Sequence, residues 1–223
     1  MDIPGFLPPS LLAERLESLA YLYQRADAAV ARFVAASGVS CPHACGSCCE
    51  GFVPDILPLE AAFLATFIAG TDKARAFNLA ASGLEARPRD DGRIGCPLYA
   101  DDRAYHCTAY EARPLICRMF AYSASRDKHG APTFSVCKKG LSANGGRIAS
   151  GDALLKVFGV MPPMMSDMGS ELASIDPDSS VDRKALPQAL TEAMSRVLFL
   201  VGLEKDDPLG NGPPVNPPVP QAG

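Results

Sequence analysis

The chain has 223 residues, of which 48% are hydrophobic, so it can bury a sizeable core without disulfide support. Its 21 basic and 25 acidic side chains give a net charge of −4, which creates no positive field that would attract phosphates or anionic lipids. We therefore expect no nucleic-acid partner and no membrane partner. The longest apolar stretches also fall far short of the roughly 20 residues that a transmembrane helix needs.

The eight cysteines are the most informative feature of the composition. The first residues lack a basic segment followed by an apolar stretch and a cleavage site, so we expect the protein to be cytoplasmic. A reducing cytoplasm keeps ordinary thiols from pairing. The cysteines therefore require an explanation other than disulfide support.

The hydrophobic pattern predicts three helices in the first part of the chain. Ser10 can cap a helix that Gly38 ends, with apolar residues at three- and four-residue spacing between them. A loop follows from Val39 to Val53, where four cysteines stand among Gly, Pro and Ser. The second helix begins at Pro58 and runs to about Ala69, and the third runs from near Asp72 to about Gly83.

The remainder of the chain is less regular. Between Arg89 and Lys139 it has many turn formers and no sustained period, with one helical turn predicted at residues 108–111 and a hairpin through residues 127–130. Three further helices are predicted over residues 152–159, 162–174 and 183–203. The last twenty residues contain six prolines, a composition typical of a disordered tail.

Together these elements predict a mainly α fold. We expect a single domain over residues 1–203, in which helices enclose an irregular Cys-rich core at residues 39–139, and a disordered Pro-rich tail at residues 204–223.

The cysteines fall into two clusters. The first reads Cys41-Pro-His-Ala-Cys45-Gly-Ser-Cys48-Cys49, and the second consists of Cys96, Cys107, Cys117 and Cys137. Residues 107–120 read Cys-Thr-Ala-Tyr-Glu-Ala-Arg-Pro-Leu-Ile-Cys-Arg-Met-Phe. From Cys41 to Cys137 this text resembles the CxxCxxCC, or YkgJ-type, family of zinc- or iron-chelating domains, to which the flagellin lysine N-methylases are related. The resemblance implies that the eight cysteines bind metal.

The residues themselves indicate the same chemistry. Four thiolates that converge on one soft metal or iron–sulfur cluster satisfy its charge and its coordination number, and eight thiolates permit two such sites. The adjacent Cys48 and Cys49 do not easily point at one centre, because neighbouring side chains diverge in helix and in strand. The vicinal pair therefore favours two sites, or one site and a spare thiol. Cys45 and Cys48 form a CxxC unit, the strongest local chelate.

An iron–sulfur cluster of the [4Fe–4S] type is the expected cofactor, with zinc as the alternative. Zinc sites usually combine paired CxxC units, whereas here one unit is paired and the other cysteines are spread singly. His43 or His106 can replace one thiolate as a ligand, and four cations near Cys117 and Cys137 can offset the charge of a cluster, namely Arg113, Arg118, Lys138 and Lys139. Inert buried thiols, a disulfide framework and thioredoxin-like chemistry are the competing interpretations.

The biochemical role stays open among three classes. The resemblance suggests a cluster-dependent enzyme that modifies a protein side chain, although the chain contains no Gly-rich cofactor loop, Ser-His-Asp set or HExxH motif, and its catalytic residues are unknown. A non-enzymatic protein for electron transfer or metal storage is the second class, and a structural zinc protein is the third. The expected partner is a protein substrate or a redox protein.

Overall fold

A computed structural model describes residues 7–43, 45–103, 105–140 and 148–205. These residues form eight α-helices: α1 (Leu11–Ser37), α2 (Ser47–Glu50), α3 (Pro58–Thr71), α4 (Lys73–Ser82), α5 (Leu115–Met119), α6 (Ala153–Phe158), α7 (Met165–Ile175) and α8 (Leu186–Lys205). The same residues form seven short strands: β1 (Asp55–Ile56), β2 (Arg87–Pro88), β3 (Ile94–Gly95), β4 (Ser125–Arg126), β5 (Pro132–Ser135), β6 (Ile148–Ser150) and β7 (Lys184–Ala185). The predicted mainly α class is confirmed.

Helix α1 has the ends that the sequence predicts. The Ser10 side chain accepts a hydrogen bond from the Ala13 N–H at 3.2 Å, which satisfies a donor in the first turn. Gly38 takes a left-handed conformation with φ of 66° and donates to the Val34 carbonyl, closing the last turn. Between these caps one face of the helix is buried.

The main core lies around α3, whose residues are apolar on all sides and buried along nearly the whole helix. α3 packs most extensively against α8 and also contacts α1 and α4. Antiparallel pairing of β1 with β7 places the start of α3 beside the start of α8. At the other end of α3, Asp72 accepts from the Arg75 N–H and caps α4.

A second, smaller core packs under the antiparallel sheet β4-β5-β6. Its centre is a trio of buried aromatic rings, Phe33 from α1, Phe134 from β5 and Phe158 from α6, with centroids 5.1 to 5.9 Å apart in edge-to-face contact. Strands β4 and β5 form the hairpin that was predicted through residues 127–130, and this prediction is confirmed.

Several boundaries differ from the sequence prediction for identifiable reasons. α8 begins at Leu186 rather than at Arg183, because Lys184 and Ala185 pair with β1. α7 begins at Met165 rather than at Pro162, because the Ala124 N–H donates to the Pro163 carbonyl and the Ala124 carbonyl accepts from the Met165 N–H, which holds this segment extended. α8 reaches Lys205, so residues 206–223, nearly all of the predicted tail, lie outside the described residues. None of the described helices is long and apolar enough to cross a membrane.

Candidate metal site

The eight cysteines lie at the margins of the two cores. Only Cys96 is buried, Cys41 and Cys48 are exposed, and the others are half-buried. The prediction that helices enclose the cysteines is therefore not confirmed. Cys49, Cys96 and Cys107 contact the main core, and the electrostatic contacts among the thiols divide the eight into two groups that meet at Cys48.

The first cysteine group consists of Cys48, Cys49, Cys96, Cys107 and Cys117, at the edge of the main core. The Sγ atoms of Cys48 and Cys49 are 3.9 Å apart on the short helix α2. The Cys96 N–H donates to the Cys49 carbonyl at 2.9 Å, which joins the second cluster of the sequence to the first. An antiparallel bridge between Tyr99 and Cys107 then places the backbone at Cys107 beside the segment that follows Cys96.

Electrostatic effects among these thiols show how near they are to one another. The pKa of Cys117 is raised well above its ordinary value, first by burial and then by the thiolates of Cys96, Cys107 and Cys48. In the vicinal pair either sulfur can donate to the other, and with Cys49 as the donor this hydrogen bond lowers the pKa of Cys48 to about 6 and raises that of Cys49. Several thiolates so close together repel one another unless a cation binds between them.

Cys117 is positioned by a buried carboxylate. Glu60, on α3, is 1% exposed and accepts three hydrogen bonds: from the Leu115 N–H at 2.9 Å, from the Leu57 N–H at 3.0 Å and from the Tyr23 hydroxyl at 3.2 Å. It thereby caps both α3 and α5 and attaches α5, which carries Cys117, to the main core. Its oxygens are occupied by these donors, so Glu60 does not join the thiols as a ligand.

The two arginines of the Arg-Pro segment bind α1. Arg118 is buried, lies 4.1 Å over the Tyr23 ring and pairs with Asp27 at 2.5 Å. Arg113 pairs with the same carboxylate at 3.2 Å. Arg113 also lowers the pKa of Cys107, opposing the effect of burial. The other two cations predicted to offset a cluster, Lys138 and Lys139, are exposed.

Two further arginines near the first cysteine group were missed by the sequence reasoning. Arg75 also lowers the pKa of Cys107, and Arg87 lowers that of Cys96, in both cases against the larger effect of burial. Arg75 lies more than thirty residues before Cys107, and Arg87 lies nine residues before Cys96, on the strand that pairs with β3. No local motif marks them, and only the fold brings them to the thiols.

The second cysteine group consists of Cys41, Cys45 and Cys137, next to the second core. The pKa of Cys41 is raised, first by partial burial and then by Cys45, Cys137 and also Cys48 of the first group, while a hydrogen bond from Tyr122 opposes the change. The Cys41 N–H also donates to the Tyr122 oxygen at 3.1 Å. Cys137 directly follows the buried Val136 of the second core. Because Cys48 acts on Cys41 as well as on Cys117, the two groups adjoin at the CxxC unit of Cys45 and Cys48.

The histidines occupy different surroundings. His43 and His129 are exposed, whereas His106 is half-buried beside Cys107. Among the described residues, no three His, Cys, Asp or Glu side chains already stand as a finished metal-ligand group. Metal binding at the first cysteine group therefore requires its thiols to close further on the ion, and the all-sulfur donor set fits a soft metal or an iron–sulfur cluster.

The fold and the thiol arrangement together define a mainly helical protein with a sulfur-rich site at its surface. Residues 40–138 match the sequence model of the CxxCxxCC family, described as a putative zinc- or iron-chelating domain. The resemblance seen in the sequence is thus confirmed over residues 40–138, which make up a little under half of the chain. No curated protein and no solved structure matches the chain.

Proposed function

We propose that the first cysteine group binds a [4Fe–4S] cluster through four of its five thiols, and that the protein uses this cluster in redox chemistry. The observation that carries the proposal is the convergence of thiols from three separate segments, α2, residues 96–107 and α5, at one edge of the main core. Sulfur ligands favour iron–sulfur clusters and zinc over magnesium or calcium.

Backbone amides support the choice of iron and sulfide. The sulfur of Cys96 accepts from the amides of Leu98 and Tyr99, and the sulfur of Cys107 accepts from that of Ala109. Hydrogen bonds to cluster sulfurs and nearby cations lower the energy of an anionic cluster and set its reduction potential. Arg87 and Arg75 supply such cations.

The exposure of Cys48 supports a redox role. Because this thiol reaches the surface, a cluster bound beside it lies close enough to exchange electrons with a partner protein. Cluster-dependent modification of a protein side chain is carried by the family resemblance alone. This modifying role requires, in addition, one iron atom of the cluster that no protein thiolate binds.

Structural zinc is the second candidate, favoured by the position of the site. The first cysteine group joins three irregular or short segments to the helical core, which is where a structural metal adds most to stability.

The decisive experiment is anaerobic purification followed by measurement of iron, acid-labile sulfide and zinc. We expect about four iron and four sulfide ions per chain, as the cluster type requires. The protein should also show a broad absorption band in the visible range that weakens when dithionite reduces the cluster. Stoichiometric zinc without sulfide would contradict the iron–sulfur proposal and establish the second candidate. A chain that binds neither metal would exclude both.

A further inference from the structure

Three side chains stack beside the first cysteine group. The rings of Tyr99 and His106 are 5.2 Å apart and nearly parallel, with an interplanar angle of 9°. On Tyr99 the guanidinium of Arg87 lies 4.3 Å from the ring centroid. We call Arg87, Tyr99 and His106 the clasp.

One end of the clasp binds the backbone of two cysteine-bearing segments. Arg87 donates to the Cys96 carbonyl at 3.0 Å and to the Cys49 carbonyl at 3.3 Å. Its approach depends on Gly95, where a Cβ atom would lie 2.2 Å from the guanidinium and 2.6 Å from the Glu50 carbonyl. The guanidinium therefore fixes α2 relative to the segment at Cys96.

The other end of the clasp closes on the CxxC unit. His106 has a φ of 52°, a left-handed conformation that residues with side chains rarely adopt. In this conformation its ring lies against Gly46, where a Cβ atom would be 2.7 Å from His106 Cδ2 and 2.8 Å from Tyr99 Cε2. Both atoms belong to rings, which cannot bend away as the end of a flexible chain can. Only glycine fits between Cys45 and Cys48 in this arrangement.

We infer that the clasp is a positioning device that fixes α2 and the segments at Cys96 and Cys107 relative to one another before metal binds. Its contacts reach the backbone or the neighbours of Cys48, Cys49, Cys96 and Cys107, four of the five thiols in the first cysteine group. The clasp itself needs no metal, and only its purpose rests on the proposed function. Arg87, Tyr99 and His106 act through the cysteines and are positioning residues.

The test substitutes Gly46→Ala, which places a methyl group against both rings and leaves every cysteine intact. The matched control is Gly169→Ala on α7, where nothing lies within 4 Å of the new methyl. In the metal-free chain we expect Gly46→Ala to accelerate hydrogen exchange of the Cys96 and Thr108 amides, which bond to Cys49 and Leu98. Iron binding on reconstitution should weaken by about 10–100-fold, as when outer-shell partners of a metal site are lost. The Gly169→Ala control should change neither the amide exchange nor the iron binding.

A ring deletion and a conservative variant separate positioning from general damage. His106→Gly removes one ring of the clasp and accepts the left-handed φ, so it should accelerate exchange of the Thr108 amide without placing a methyl group against Tyr99. Tyr99→Phe keeps the stacked ring and should preserve exchange, iron binding and the electron paramagnetic resonance spectrum of the reduced cluster. Tyr99→Ala should change all three while exchange within α3 stays as in the wild type.

The outcomes of the two proposals are distinguishable. Unchanged exchange at Cys96 and Thr108 in both Gly46→Ala and Tyr99→Ala would overturn the clasp, even where the wild type binds its cluster. Faster exchange with undiminished iron binding would overturn its positioning role. A wild type that binds no iron and no sulfide would overturn the iron–sulfur proposal, and the exchange comparison would still decide whether the clasp orders the metal-free segments.

Discussion

The two cysteine groups differ in how their surroundings hold them. The first contacts the main core, with Cys117 carried by a helix that the buried Glu60 attaches to α3. The second contacts the small aromatic core, and a hydrogen bond between Tyr122 and the exposed Cys41 is its tie to the chain near α5. Preorganised ligands bind a metal with little loss of conformational freedom. We therefore expect the first cysteine group to bind metal more tightly than the second.

The largest expected effect comes from removing one thiol from each group. Cys117→Ala should abolish cluster binding and lower the midpoint of thermal unfolding, because metal binding to a loop-rich segment contributes directly to its folding free energy. Cys137→Ala should retain most of the iron, since Cys137 lies in the second cysteine group. Iron and sulfide analysis with differential scanning calorimetry checks both variants. Equal loss of iron from the two would mean that all the thiols serve a single centre.

The second-largest expected effect tests whether the first cysteine group depends on the second core. Phe158→Ala removes one ring of the buried aromatic trio and should lower the free energy of unfolding by about 3–5 kcal/mol. Leu155→Ala, on the same helix at a residue that is 55% exposed, should cost less than about 0.5 kcal/mol. Urea denaturation measures both values. Iron bound by folded Phe158→Ala should equal that of the wild type; its loss would show that the first cysteine group depends on the second core.

Much of the helical frame is predictable from the sequence because its signals are local. Ser10, Gly38, Pro58 and Asp72 mark helix ends through hydrogen bonds or backbone angles that involve residues within one turn. Five-residue α5 escapes the same reasoning, since it is too short to show a hydrophobic period. Its start is fixed instead by Glu60, which precedes it by 55 residues.

The candidate site is likewise predictable only in part. The cysteines and their family-like spacing can be recognised in the sequence, but the division of the cysteines into two groups cannot. The CxxC unit of Cys45 and Cys48 indicates one chelate by spacing, whereas in the structure Cys48 acts on thiols of both groups, Cys117 of the first and Cys41 of the second. Arg87 shows no pattern in the sequence, and Gly46 is recognisable only as the glycine of the CxxC unit, because a guanidinium stack and a close approach to a ring depend on segments that meet in the folded chain.

The two exposed thiols provide a third comparison. In metal-free protein at pH 7, Cys48 lies above its pKa of about 6 and is mostly thiolate, whereas the raised pKa of Cys41 keeps that thiol protonated. Since the thiolate is the nucleophile, iodoacetamide should alkylate Cys48 about ten-fold faster or more. Lowering the pH below 6 should slow the alkylation of Cys48, because its thiolate is then protonated, and the difference between the two rates should narrow only at a pH high enough to ionise Cys41. Peptide mass spectrometry against time gives the two rates.

A matched control tests the cause of that difference. Cys49→Ala removes the thiol that donates to the Cys48 sulfur, the largest contribution to the lowered pKa of Cys48. In a plot of the Cys48 alkylation rate against pH, the midpoint of the rise should then move to higher pH. Equal rates for Cys41 and Cys48 at pH 7 in the wild type would contradict the prediction.

The smallest expected effect comes from deleting one hydroxyl in each region. Tyr23→Phe removes a buried donor to Glu60 and should lower the free energy of unfolding by about 1–2 kcal/mol, because water cannot replace that donor. Tyr122→Phe removes the acceptor of the Cys41 N–H, and the exposed amide can bond to water instead, so the change should stay below about 0.5 kcal/mol. Urea denaturation of the metal-free proteins resolves the two values. A larger loss in Tyr122→Phe than in Tyr23→Phe would reverse the comparison, since it would make the second cysteine group the more firmly held of the two.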